Sequence, residues 1–173
     1  MSSEGHTPLD IHLVAPSELS LDVLESIISL IVQGGEVNAE TVRPRLMDCA
    51  LILYACLEGQ VVATGAIKRP TDSGLDNAFL KAHSEHKFEE FLFELGYAVI
   101  APDVRGKGLG RLLGKKICDS FQHENMFATI RANNEVAQHL LVENGFLPSG
   151  RVFRNRTNTQ DLKLFVRRGS LRR

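Results

Sequence analysis

A run of alternating glycines and cations lies past the middle of the chain, directly before an apolar pattern of helical spacing. Glycine lets a bulky group approach the backbone closely, and the first turn of a helix has N–H groups without intrahelical partners. The helix dipole and the cations add positive potential at the same place. The pattern therefore predicts a phosphate site rather than an ordinary turn. The run comprises Arg105, Gly106, Lys107, Gly108, Leu109, Gly110 and Arg111.

Two common nucleotide motifs do not fit this run. A Walker A loop ends in Gly-Lys-Ser/Thr, whereas Gly106-Lys107 is followed by another glycine and Gly114-Lys115 by another lysine. A dinucleotide fingerprint, Gly-x-Gly-x-x-Gly, would need its third glycine at position 111, which is Arg111. Nucleotide binding of either type is therefore disfavoured.

The elements that must position the run are a strand before it and a helix after it. Residues 94–100 are largely apolar, and Pro102 ends the strand because proline cannot donate to a β-ladder. Apolar residues then recur at helical spacing. The run consequently lies at the carboxyl end of a central strand, where open α/β sheets usually bind ligands. The helical positions are Leu109, Leu112, Leu113, Ile117 and Phe121.

These residues resemble a motif of the GNAT superfamily, the acyl-CoA-dependent N-acyltransferases. Arg105 to Gly110 matches that family's Arg/Gln-x-x-Gly-x-Gly/Ala pattern, and Ile100-x-Pro102 is similar to the end of its central strand. The resemblance spans residues 9 to 168. A second family motif follows at the expected distance and comprises Asn134, Ala137, Leu140, Gly145 and Phe146.

The resemblance implies acetyl-CoA, or another acyl-CoA, as the acyl donor, with its diphosphate on the glycine loop and first helical turn. Arg105 and Lys107 would lie at the rim, the pantetheine arm would pair with backbone at Val99 and Ile100, and Asn134 would contact the cofactor. Backbone N–H donors would be those of Val104, Gly106, Gly108, Leu109 and Gly110. The extra ribose phosphate has three unranked candidates, namely Lys107, Arg111 and Lys115.

Transfer of an acyl group to an amine requires removal of a proton, because a protonated amine has no lone pair. Glu94 is the first candidate base, since a carboxylate in a largely apolar cleft holds a proton more readily than one in water. Tyr97 is the second candidate, as base, acid or core residue. Backbone N–H groups near Val99 or Ile100 could stabilise the oxyanion. The reserve candidates are His83, His86 and His139.

One position departs from the family. The residue after Leu140 is commonly a tyrosine that serves as general acid, and here it is Leu141, which cannot donate a proton. Tyr97, His139, a bound water or no acid at all would then serve the leaving thiolate. The alternative is a binding module that holds acyl-CoA with little turnover and acts as a sensor or partner subunit.

Length and composition favour one domain, residues 9–168, between a polar tail at 1–8 and a basic, solvated tail at 169–173. The net charge of −1 among 173 residues disfavours a nucleic-acid-binding protein. No apolar run is long enough to span a membrane, no signal pattern is present, and three dispersed cysteines are typical of a reducing compartment. A cytoplasmic protein is expected. No metal is expected, since no His or Cys cluster has ligand spacing.

The coarse order of elements predicts an α/β fold, a GNAT-like mixed central sheet of about six to seven strands with helices on both faces. A helical piece at 37–47 is expected to break at Pro44, and Glu58-Gly59 to close a hairpin. The insertion at 68–91 either lines the acceptor site or covers the sheet. The acceptor would be a small-molecule or protein amine, and the protein a monomer or homodimer without nucleic-acid or membrane partners.

Overall fold

The computed structural model describes residues 8–35, 37–71, 74 and 77–171. Seven strands form one mixed sheet in the order β1-β2-β3-β4-β5-β7-β6, flanked by helices, so the predicted fold class is confirmed. The strands are β1 Asp10–Val14, β2 Leu51–Leu57, β3 Gln60–Lys68, β4 Phe93–Ile100, β5 Met126–Arg131, β6 Leu147–Arg154 and β7 Asp161–Arg167. The helices are α1 Leu21–Gln33, α2 Ala39–Met47, α3 Ala78–Lys81, α4 Leu109–Asp119 and α5 Glu135–Glu143.

The chain divides into two compact units. The first comprises Met1–Ala66 and Tyr97–Leu109, and the second comprises Ile67–Gly96 and Gly110–Arg173. The single domain expected from the sequence stays a prediction. No helix in the described ranges is long and apolar enough to cross a membrane.

The first unit has an aliphatic core that follows from the spacing of α1. Ser20 caps the start of α1, where its side chain accepts a hydrogen bond from the Val23 amide. Apolar side chains then recur every three or four residues along the helix. They pack with α2, β2 and the end of β3. The buried members are Leu24, Ile27, Ile28, Ile31, Val42, Leu46, Cys49, Ile52 and Ala66.

The predicted break at Pro44 is wrong, because α2 continues through Pro44 to Met47. An internal proline removes one helical hydrogen bond and crowds the preceding turn, at a cost of about 3 kcal/mol. Val42 and Leu46 are both completely buried. Their burial contributes about 1.5–3 kcal/mol each and so offsets the proline. The predicted hairpin is confirmed: Glu58 and Gly59 both have positive φ, 51° and 77°, as a tight hairpin turn requires.

The second unit has an aromatic core built around the insertion. Phe79 of α3 lies 5.2 Å from the Phe91 ring and 5.1 Å from the Phe127 ring of β5, measured between centroids. Phe79 and Phe91 are 2% and 1% exposed. Burying such rings stabilises the unit by about 1.5–3 kcal/mol each. Much of the insertion therefore anchors itself in the core of its own unit.

Residues 168–170 make specific contacts with the second unit while Arg168, Ser170 and Leu171 are exposed, and the solvated tail expected at 169–173 stays a prediction. The guanidinium of Arg168 lies over the Phe91 ring, 4.8 Å from its centroid, and pairs with Glu90. The amide of Gly169 donates to Asn125 at 3.0 Å, and that of Ser170 donates to the Gln122 carbonyl at 2.8 Å. Residues 168–170 are thus fastened to the second unit by hydrogen bonds and a cation–π contact. Most of the predicted N-terminal tail, residues 1–7, and residues 172–173 lie outside the described ranges.

Candidate functional site

The glycine run forms an open loop between β4 and α4. A single 3₁₀ turn, Pro102–Val104, follows β4, and α4 begins at Leu109. Gly106 and Gly108 have φ of +74° and +76°, a region that side chains disfavour. A Cβ built on either glycine would meet nothing within 4 Å. The conformation therefore requires glycine, and the space above the backbone is free for a ligand. We name residues 105–109 the glycine loop.

The backbone hydrogen bonds decide which amides can serve a ligand. The Val104 amide donates to the Ala101 carbonyl at 3.1 Å, and the Arg105 amide donates to the Pro102 carbonyl at 3.3 Å. The 3₁₀ turn thus uses the Val104 N–H, which corrects the expectation that it faces a phosphate. Across the described residues, no protein acceptor is recorded for the amides of 106–108. These amides, and the first turn of α4, are the donors that remain.

The cations of the run have different surroundings. Arg105 Nε donates to the Ile100 carbonyl at 2.8 Å, which ties the loop to the end of β4. Arg111 binds Glu143 through two hydrogen bonds of 2.9 and 2.8 Å, which raise the pKa of Arg111 and lower that of Glu143. Lys115 pairs with Asp119 at 2.6 Å. The three candidates for a ribose phosphate stay predictions. One of them, Lys107, is exposed and has no carboxylate partner among the described residues.

The strand before the loop is locally strained. Tyr97 has φ of +51° in the middle of β4, where extended residues are the rule. A non-glycine residue in this region costs about 1–3 kcal/mol and marks places where a strand is bent for function. In the register described for β4 and β5, Phe93 pairs with Met126 and Glu94 pairs with Phe127.

Two partly buried side chains of β4 contact the first core. Tyr97 and Val99 pack against it, and a Cβ at Gly34 would lie 3.0 Å from Val99 Cγ2. Gly34, at the end of α1, therefore leaves room for Val99. The Ile100 carbonyl accepts from Arg105, and the Ala101 amide donates to Val62 of β3 at 2.8 Å. Backbone contacts of Val99 and Ile100 with a cofactor stay predictions, as does a chemical role for Tyr97.

Glu94 has a cationic neighbour that the sequence did not indicate. Its carboxylate is 2.8 Å from the Nζ of Lys68, and the two side chains are 16% and 26% exposed. A Cβ at Gly96 would lie 2.9 Å from the end of the Lys68 side chain, so glycine leaves room for the lysine in this position. Sequence reasoning missed Lys68, since only the pairing of β3 with β4 shows which residue faces Glu94. The only hint in the sequence is that the strand before the insertion ends in a lysine.

The second motif is placed as a helix start. The Asn134 side chain accepts from the Ala137 amide at 3.1 Å and so caps α5, which leaves its NH₂ group for other contacts. Leu141 is 6% exposed and packs inward. A leucine side chain cannot donate a proton, so position 141 supplies no general acid, as the sequence indicated.

The reserve histidines lie in three different environments. The Nε2 of His139 is 3.1 Å from Glu143, and that of His83 is 2.7 Å from the Arg151 guanidinium. The His86 ring packs edge-on against Phe91. Within the described ranges, no group of three or more His, Cys, Asp or Glu is arranged to hold a metal ion.

Comparison with protein families identifies the chain. The model of the GNAT acetyltransferase family matches residues 32–146, well over half of the sequence. The chain therefore belongs to the GNAT acetyltransferase family. This membership supports acyl-CoA-dependent acyl transfer as the class of activity. Comparison with curated proteins gave no match.

Solved structures share the fold at low sequence identity. The ribosomal-protein-S18-alanine N-acetyltransferase from Escherichia coli has a TM-score of 0.67 at 16% identity, over 95% of this chain and 97% of that one. An acyl-CoA N-acyltransferase from Pseudomonas aeruginosa has 0.65 at 18% identity, over 92% and 99%. YncA from Salmonella typhimurium, solved with its cofactor acetyl-CoA, has 0.61 at 17% identity, over 95% of each chain.

Proposed function

We propose that the protein transfers an acetyl group, or another acyl group, from acetyl-CoA to a primary amine by direct attack in a ternary complex. Family membership supports the class of reaction. The observation that carries the proposal is the glycine loop, in which amides without a recorded protein acceptor lie beneath open space. Such amides bind phosphate oxygens well, because they supply directed donors without a side chain in the way.

The residues present fit the coenzyme. A diphosphate would lie on the amides of 106–108 and the first turn of α4, with Lys107 at the rim. Arg105 would hold the loop in shape through its bond to Ile100. Acetyl-CoA would supply the reactive thioester, whose thiol has an ordinary pKa near 8.5 and is therefore a fairly good leaving group.

The loop assignment is tested by blocking the space above Gly108. Gly108→Trp is expected to weaken acetyl-CoA binding by at least about 100-fold, because the indole fills the approach to the backbone amides. Isothermal titration calorimetry measures the affinity. Gly59→Trp is the matched control, since Gly59 has nearly the same φ, +77°, and equally open surroundings in the β2–β3 hairpin. Unchanged affinity in Gly108→Trp would remove the assignment.

Proton removal from the amine is assigned to Glu94. We propose that its carboxylate accepts the proton, directly or through a water, while Lys68 holds it in position. Tyr97 is the alternative group. Glu94→Gln is expected to lower kcat by about 100-fold at neutral pH, with partial recovery at alkaline pH where more of the amine is already neutral.

The control for this variant is Glu25→Gln, which also removes a carboxylate paired with a cation, Arg43. Its kcat is expected to match wild type. The affinity of Glu94→Gln for acetyl-CoA is expected to stay within about twofold of wild type, because the glycine loop is unchanged. A pH–rate profile identical to wild type would end the candidacy of Glu94 as base.

One observation favours a second function, an acyl-CoA-binding domain with little turnover. The buried Leu141 leaves no acid at the position where the family commonly has tyrosine. Release of CoA in the presence of a panel of amines separates the two functions. Tight acetyl-CoA binding without any amine-dependent release would favour the binding domain.

A further inference from the structure

A second concentration of cations lies in the second unit, apart from the glycine-loop sequence. It is a cleft of about 610 Å³ between the end of α3 and the end of β6, which continues into the following turn. None of its lining side chains, all of them in the described part of the chain, is Asp or Glu. We name it the arginine cleft. Its charged and titratable members are Lys81, His83, Arg151, Arg154 and Arg156.

The backbone around the cleft is held in an unusual shape. Gly150 has φ of +72°, and a Cβ there would lie 2.2 Å from the Ala82 carbonyl oxygen. The Arg151 amide donates to that same oxygen at 2.7 Å, and the β6–β7 register shifts between Ser149 and Phe153. The half-buried bond between the Ser84 and Ser149 hydroxyls, 2.7 Å long, joins the same two segments. A bulge of this kind re-aims side chains, and here it turns Arg151 toward His83.

The arginines of the cleft have different hydrogen-bond partners. Arg151 Nη2 lies 2.7 Å from His83 Nε2. A guanidinium can only donate, so His83 Nε2 is the acceptor in this contact. The contact of Arg151 is thus with an imidazole and not with a carboxylate. Arg154 is neutralised by Asp161 of β7, at 3.1 Å. Arg156 is exposed on the turn after β6.

We propose that the arginine cleft binds a small oxyanion with two or more negative charges, as found in phosphate esters and polycarboxylates. Guanidinium groups pair with such oxygens through two parallel hydrogen bonds, and a lining with more than one of them favours a ligand with more than one negative charge. The bulge fixes the direction of Arg151 before the ligand arrives, so little conformational freedom is lost on binding. The volume suits a small molecule.

The test uses the full chain carrying Gly108→Trp, in which the indole blocks the glycine loop. Binding of a probe then reports on the arginine cleft alone, and the result does not depend on whether the glycine loop binds acetyl-CoA. Pyrophosphate and citrate are titrated by calorimetry at constant ionic strength, with sodium chloride as the control for screening. Saturable binding of at least one probe is expected. The tighter of the two distinguishes a phosphate ligand from a polycarboxylate.

Variants then locate the binding. Arg151→Gln combined with Arg156→Gln is expected to raise the Kd by at least about tenfold, because two charge-assisted contacts are lost. Arg45→Gln, which removes an exposed cation from α2, is expected to change it less than twofold. Should the double variant fail to fold, Arg156→Gln alone is expected to raise the Kd about threefold. Two results would overturn the proposal. The first is the absence of saturable binding at probe concentrations up to about 10 mM, on the order of the weakest specific affinities. The second is an affinity in the cleft variants equal to that of the parent Gly108→Trp chain.

Discussion

The glycine loop and the arginine cleft are both suited to anions, but they are made from different parts of the chain. The loop offers backbone amides, held open by left-handed glycines at 106 and 108. The cleft offers side-chain guanidinium groups, aimed by a bulge at Gly150. Amide donors carry partial charges and demand a ligand that fits against the backbone, whereas guanidinium groups carry a full charge on a long side chain. The first kind of site selects by shape, and the second selects by charge.

The largest effect on stability is expected at Gly150, where the shape of the arginine cleft depends on a single close backbone contact. Gly150→Ala should destabilise the protein by roughly 2–5 kcal/mol, since the residue has positive φ and its Cβ would meet the Ala82 carbonyl. Chemical denaturation measures the loss. Gly59→Ala has a similar φ but open space, so it should cost only about 1–2 kcal/mol.

The difference between these two variants isolates the steric part of the effect. It also reports on the cleft, because a displaced Ala82 would release the Arg151 amide. Equal losses of stability in Gly150→Ala and Gly59→Ala would mean that the bulge yields easily. The arginine cleft would then not be a fixed feature, and the contrast with the glycine loop would weaken.

Sequence reasoning found the loop and not the cleft, and the reason is physical. The loop is made by consecutive residues, so its glycines and the start of α4 are visible as one motif. The cleft joins residues near 82 with residues near 151, and only the packing of α3 on β6 brings them together. The same applies to Lys68, which meets Glu94 from another strand.

The fold class and most element positions were predictable because hydrophobic period and turn chemistry agree along the chain. The misses have particular causes. Proline was expected to end α2, but tertiary burial of Val42 and Leu46 outweighs its local preference. The Val104 amide was expected to face a ligand, but the 3₁₀ turn after Pro102 uses it.

The contribution of cations to the loop gives a prediction of intermediate size. Arg105→Met should raise the Kd for acetyl-CoA about tenfold, because the bond that ties the loop to Ile100 is lost. Lys107→Met should raise it only about threefold, since an exposed charge is well screened by water. Calorimetry under the conditions used for Gly108→Trp gives both values. A loss from Lys107→Met as large as that from Gly108→Trp would show that charge, not backbone shape, dominates the loop.

The smallest effect concerns Arg111, whose guanidinium is bound to Glu143. The hydrogen bond from Arg111, and secondarily the charges of Arg111 and His139, lower the pKa of Glu143 from its ordinary value of 4.5. A lowered folded-state pKa contributes stability that is present above pH 4.5 and is lost as the pH falls through the folded value. The Tm of Arg111→Gln should therefore lie slightly below that of wild type at pH 7. This gap in Tm should close as the pH falls toward about 3, because Glu143 becomes protonated and the ion pair is lost.

Arg45→Gln, which removes an exposed cation from α2, is the control for net charge in the same scans. The pair between Arg111 and Glu143 lies largely in solvent, so its gap in Tm should also shrink when salt is added at pH 7. A gap that persists at pH 3 would mean that Arg111 stabilises α4 by packing its aliphatic stem rather than by its charge. Arg111 would then be a structural residue of α4. Lys107 and Lys115 would remain as the candidates for a ribose phosphate, and of these only Lys107 belongs to the glycine loop.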